Sequence, residues 1–151
     1  EQQRANSVII VQDAFTSHFE AKLVMDVVEL LSRLNLRVFV MPFSANGKPL
    51  QVQGFLGAFE RTAETQAKRL RALAEFDVPM VGIDPAMTLT YRQEYVKALG
   101  AEQVPNVLML QEWLATRMNT LVPRPLNLTD PGFKLLSHCT EKTNAPGSPK
   151  A

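Results

Sequence analysis

Cysteine is almost missing from this sequence: Cys139 is the single one among 151 residues. One thiol excludes an intrachain disulfide framework and points to a reducing compartment. An excess of either charge is also missing. Lys and Arg number 16 against 15 Asp and Glu, a formal net charge of +1. Such a balance supplies no field for nucleic acid or for an anionic membrane. No apolar run approaches the roughly 18 residues that a membrane span needs. The opening "EQQRANSV" has no apolar h-region, so no signal peptide is read there. It has no initiator Met either, which fits processing or a start inside a longer protein.

The usual catalytic motifs are absent too. A phosphate cradle needs GxxxxGK[ST] or GxGxxG at a strand–helix turn. "SANGKP" offers Gly47 and Lys48 without the first glycine, and Pro49 follows. A zinc site needs about four N, S or O ligands, or three when catalytic. His18, His138 and Cys139 are the candidates, with no HExxH, and both histidines read as surface or cap residues. Cys139 follows His138 directly, and neighbours on a strand point to opposite faces. The imidazole is therefore poorly placed to activate the thiol, and Cys139 reads as a small buried hydrophobe. Arg61, Lys68, Arg69 and Arg71 interleave with Glu60, Glu64 and Glu75, as on a solvated helix face. Asp13, Asp84 and Glu141 fall at predicted strand ends, but the sequence does not fix their separations.

What is present is an alternation of two periods. "SVIIVQD", "LRVFVMP", "VPMVGI", "NVLML" and "FKLLSH" read as short buried strands. Between them lie helical stretches. Ser17 and Glu20 stand at capping-box spacing before "EAKLVMDVVELLSRL". In that helix Leu23, Val27, Leu30, Leu31 and Leu34 form the expected inner face. "FSANGKPLQVQG" reads as a loop. Residues 54–76 form a long helix with Phe55, Phe59, Ala63, Leu70 and Ala74 inward. Asp84 and Pro85 look like an N-cap and first-turn pair opening "AMTLTYRQEYVKAL", which Gly100 ends. "QEWLATRM" begins a further helix, and Trp113 is assigned to the core. The pattern predicts an α/β fold: a three-layer α/β/α domain with a mainly parallel sheet of about five strands. Residues 1–139 form the domain and 140–151 a loose tail. Ligands of such sheets bind at the carboxyl ends of the strands, which singles out "DAFTSH", "PFSANGKP", "DPAM", "QEW" and "HCTEK".

Three of these segments resemble a known pattern in register. "ANGKPL" resembles the "CCGxPL" stretch of the cysteine-rich CCG domain found in heterodisulfide reductases and glycolate oxidase iron–sulfur subunits. Gly47, Pro49 and Leu50 match, while Ala45 and Asn46 stand at the paired cysteines. "VGIDPAMTLTYRQEY" resembles the family's "VGLEPSCLLTLRDEY", with Asp84 inside the motif and Met87 at its last cysteine. "QDAFTSHFEAK" resembles the first-cysteine segment, again without the cysteine. "LLSHCTEK" resembles the opening of a second copy, with Cys139 at its first ligand position.

The resemblance implies a first CCG copy stripped of thiolates and a second that this sequence does not finish. It is similar above all to the C-terminal part of large bacterial FAD-linked oxidases, some of D-2-hydroxyglutarate or D-lactate dehydrogenase type. The implied function is electron transfer or structural support within an oxidoreductase acting on a small D-2-hydroxy acid. FAD and a 4Fe–4S cluster belong, on this resemblance, to flavin and ferredoxin-like domains of the same polypeptide, the implied partners. The fragment alone is expected to hold no cofactor and to be inert. Cys139 is implied as one ligand of an incomplete iron–sulfur site. The expected location is the cytoplasm, or a membrane surface reached through the electron acceptor. Two other readings stand beside this one: a non-redox α/β module binding a small anion or partner protein, and a thiol enzyme using Cys139.

Overall fold

The computed structural model describes residues 6–117, together with Thr120 and Cys139. Its centre is a parallel sheet in the order β2-β1-β3-β4. The strands are β1 (Ser7–Ile10), β2 (Arg37–Val40), β3 (Met80–Gly82) and β4 (Leu108–Met109). Strand β1 pairs with β2 from Ser7↔Arg37 to Ile10↔Val40 and with β3 through Ile9↔Met80. The expected three-layer α/β architecture is present with four strands. The fifth predicted strand, "FKLLSH", and the predicted tail lie outside the described residues.

Alternation along β1 builds two cores. Val8 and Ile10 join Val27, Leu31, Leu36, Val81 and Trp113 on one face. Ile9 and Val11 join Met41, Phe59, Ala63, Leu70, Met80, Tyr91, Tyr95 and Val107 on the other. The first face is covered by α2 (Ala21–Arg33) and α7 (Leu110–Ala115). The second is covered by α4 (Leu56–Ala74), α5 (Pro85–Arg92) and α6 (Glu94–Leu99). A residue pair one apart on a strand thus feeds opposite layers, which period-two geometry requires.

Several local expectations are corrected. Ser17 is not an N-cap: it lies within a short helix, α1 (Ala14–Phe19), and its hydroxyl donates to Gln12 Oε1 at 3.0 Å. Asp13 caps that helix instead, accepting from Thr16 N at 2.8 Å. Glu20 sits between α1 and α2 and makes no side-chain cap. The inner face of α2 is Val24, Val27 and Leu31, while Leu23 and Leu30 are exposed. On α4, Phe59, Ala63 and Leu70 point inward as expected, joined by Gln66 and Ala67, whereas Phe55 and Ala74 are exposed. The expected loop after β2 contains a five-residue helix, α3 (Lys48–Val52). The helix expected before Gly100 is broken at Gln93 into α5 and α6.

Candidate functional site

The order of the sheet reverses between β1 and β3, so the crevice over their carboxyl ends is where an α/β sheet offers a site. Three loops meet there. The first follows β1. Gln12 Nε2 donates to Met41 O at 2.9 Å, tying the first loop to the end of β2. Asp13 is buried and also accepts from Thr16 Oγ1 at 2.7 Å, so its carboxylate is engaged in its own helix cap.

The second loop runs from Met41 to Gly47. Ala45 is exposed and borders a shallow depression with Ser44, Ala58, Arg61, Thr62 and Thr65. Asn46, its neighbour, is buried. Its Oδ1 accepts from Lys48 N at 3.0 Å, and its Nδ2 donates to Met87 O at 3.3 Å with Met87 Sδ at 3.6 Å. Its carbonyl accepts from Tyr95 Oη at 2.7 Å. Gly47 has φ +76°, a left-handed conformation, and a Cβ there would press on Phe59 at 3.1 Å. Lys48, half-buried, pairs with Glu94 on α6 at 2.6 Å.

The third loop follows β3. Asp84 caps α5 as expected, accepting from Met87 N at 2.8 Å. Thr88 Oγ1 donates to Asp84 O at 2.7 Å. Gly82 is required by that packing: a Cβ would collide with Thr88 Oγ1. Beneath the loops, Tyr91 and Tyr95 stack edge to face with centroids 5.1 Å apart, and Phe59 meets Tyr95 at 5.7 Å. Burial pushes the Tyr91 hydroxyl up to about 12; the nearby Asp13 carboxylate adds to this, while Gln66 and Asn46 act the other way. Burial also raises the Tyr95 hydroxyl, with Tyr91 beside it contributing.

The fold brings Asn46 and Met87 into contact and leaves Ala45 outside it. Asp13 and Asp84 share the rim, each occupied as a helix cap, while Glu141 lies outside the described residues. His18 stacks on Phe43 with centroids 5.0 Å apart, and His138 lies outside the described residues. Cys139 is exposed, against the expectation of a buried thiol. Trp113 is buried as expected.

These side chains do not fit an iron–sulfur cluster. A cluster needs several thiolates. Ala45 offers a methyl, Asn46 an amide bonded to Lys48 and Met87, and Met87 a neutral thioether. Among the described residues no group of three or more His, Cys, Asp or Glu converges. The rim's hydrogen bonds run through Asn46 and the two capping carboxylates, Asp13 and Asp84. Sequence reasoning missed Gln66, Tyr91 and Tyr95. The signal for Gln66 was its place on the 59–63–67–70 stripe, where a polar residue is out of character.

Comparison with known proteins gives a consistent set of relatives. The chain is 53% identical over 146 residues to D-2-hydroxyglutarate dehydrogenase of Pseudomonas putida, covering 97% of this chain and 14% of that protein. It is 46% identical over 151 residues to the protein of that name from Pantoea ananatis, covering 99% and 14%. For Escherichia coli K12 the identity is 41% over 150 residues, covering 98% and 14%. The chain thus spans 14% of the length of these curated relatives. No family model matches it, and no solved structure matches it.

Proposed function

We propose that this chain is a CCG-type, cysteine-depleted part of a longer oxidoreductase that oxidises a small D-2-hydroxy acid, D-2-hydroxyglutarate first among them. The observation that carries this reading is the end-to-end similarity, at 41–53% identity, to three proteins named D-2-hydroxyglutarate dehydrogenase. FAD and a 4Fe–4S cluster belong, in this proposal, to flavin and ferredoxin-like regions elsewhere in the polypeptide. The motif resemblance supports that assignment. The described rim contributes no reacting group. Its part is to hold a rigid surface against those regions, with Cys139 as the one candidate metal ligand.

Exposed apolar side chains support a docking role. Phe15, Phe19, Phe39, Phe43, Phe55 and Phe76 are all more than 40% exposed. Phe39, Val40 and Phe76 line one groove beside the β2 edge with Pro42, Leu73 and Val78. Contiguous apolar surface of this kind is what an interaction face offers.

The test uses the full polypeptide, purified with its cofactors. It should reduce a soluble dye with D-2-hydroxyglutarate and fail with the L enantiomer. Flavin-loaded protein that turns over no D-2-hydroxy acid would overturn the proposal. The Cys139→Ala variant addresses the ligand separately: lower iron content and slower acceptor reduction are expected, and unchanged values remove Cys139 from the cluster.

A further inference from the structure

Three buried polar atoms lack a protein hydrogen-bond partner at one place: Gln66 Nε2, Gln66 Oε1 and Tyr91 Oη. Their side chains are among the most enclosed in the molecule, Gln66 at 1% and Tyr91 at 2% exposure. Gln66 comes from the middle of α4 and Tyr91 from the end of α5. They come close to each other without reaching bonding geometry, with Asn46 and the Asp13 carboxylate as the next polar groups.

Neither neighbour bonds to them in the structure. Both Asp13 oxygens already accept from Thr16, one from its amide and one from its hydroxyl. Asn46 uses Nδ2 on Met87 and Oδ1 on Lys48. A primary amide has two donors and an acceptor oxygen, and a phenol adds one of each. Groups of this kind left dry in an interior carry their full desolvation penalty. Native interiors meet that demand with protein partners or with ordered water.

We propose that Gln66 and Tyr91 hold a buried water molecule between them, where the strand order reverses. Water is selected by size, charge and valence. The enclosure leaves no route for an organic ligand. The Asp13 carboxylate disfavours an anion. Water accepts from Gln66 Nε2 and Tyr91 Oη and donates to Gln66 Oε1, and two to four such partners are what a buried water needs. The high affinity of the Tyr91 hydroxyl for its proton keeps it a donor throughout the physiological range. The bridge ties α4 to α5 beneath the loop that carries Asn46. It thereby gives this rim a rigid polar floor in place of reactive side chains.

Crystals of the full polypeptide at atomic resolution test this. The expected result is a density peak within hydrogen-bonding distance of Tyr91 Oη and of the Gln66 amide. No peak, or a Gln66 amide turned to bond Tyr91 Oη directly, would overturn it. The Gln66→Met variant keeps the side-chain length and removes both polar atoms. The peak should be lost there, and a peak that stays in place would remove Gln66 as its holder. If that variant does not fold, the wild-type map decides alone.

Discussion

At the scale of single residues, the rim is specified by close fits rather than by reactive groups. Gly82 shows this most directly, because a Cβ would enter the space of Thr88 Oγ1. Gly82→Ala should destabilise the chain by about 1–3 kcal/mol, the usual range for overpacking. Adding Thr88→Ala should recover part of that loss in a double-mutant cycle read by denaturant unfolding. Asn46 gives a second case. Asn46→Cys restores one residue of the resembled motif but leaves Ala45 and Met87 in place. Its iron content should stay that of the wild type, measured on the reconstituted full polypeptide, because one added thiolate does not make a cluster site. The tyrosines give the pH dependence. Burial holds Tyr91 up to about 12, against about 10 for a free phenol. The neutral form is the one the fold favours. This contribution is complete below about pH 10 and is lost as pH rises through about 12, an effect of roughly 2–3 kcal/mol. Tyr91 and Tyr95 are the two tyrosines of the sequence. Alkaline titration of the 151-residue chain should therefore show tyrosinate absorbance rising together with loss of helix signal. A tyrosinate step near pH 10 in the folded chain would count against their burial.

At the scale of elements, α2 separates what periodicity reveals from what it leaves open. Its five leucine and valine positions name a stripe, but two adjacent leucines, Leu30 and Leu31, cannot both face the sheet. The structure buries Leu31 completely and leaves Leu30 at 47% exposure. Leu31→Ala should cost about 2–5 kcal/mol, as deletion from a packed core does. Leu30→Ala should change stability by well under half as much. Comparison of the two unfolding midpoints checks the helix rotation. The same limit explains α1. Ser17 and Glu20 satisfy the spacing of a capping box, yet Asp13 caps an earlier turn because its carboxylate reaches both the amide and the hydroxyl of Thr16. Spacing describes a possible cap, and competition among nearby caps decides it. The Asp84–Pro85 start of α5 was legible because no rival acceptor stands beside it.

At the scale of the whole molecule, β2 is the outermost strand among the described residues, and its exposed Phe39 and Val40 follow from that position. Phe39→Asp together with Phe76→Lys should leave the unfolding midpoint of the 151-residue chain nearly unchanged. It should lower the chain's binding of a hydrophobic dye, since those rings contribute little to the two cores. If the groove is a docking face, the same pair of changes should loosen this region in the full polypeptide, seen as faster amide exchange along β2. No described helix is long and apolar enough to cross a membrane. The sequence by itself determined the alternation of strands and helices, the parallel α/β class, the Asp84 cap and the helix end at Gly100. These are local properties, written in period and residue type. Tertiary structure alone decided which leucines turn inward, that Asn46 closes on Met87, and that Gln66 meets Tyr91 beneath them. Those outcomes join residues 25 to 41 positions apart in the chain. Only the packing of α4 and α5 on one face of the sheet brings such residues into reach, so no local pattern could announce them.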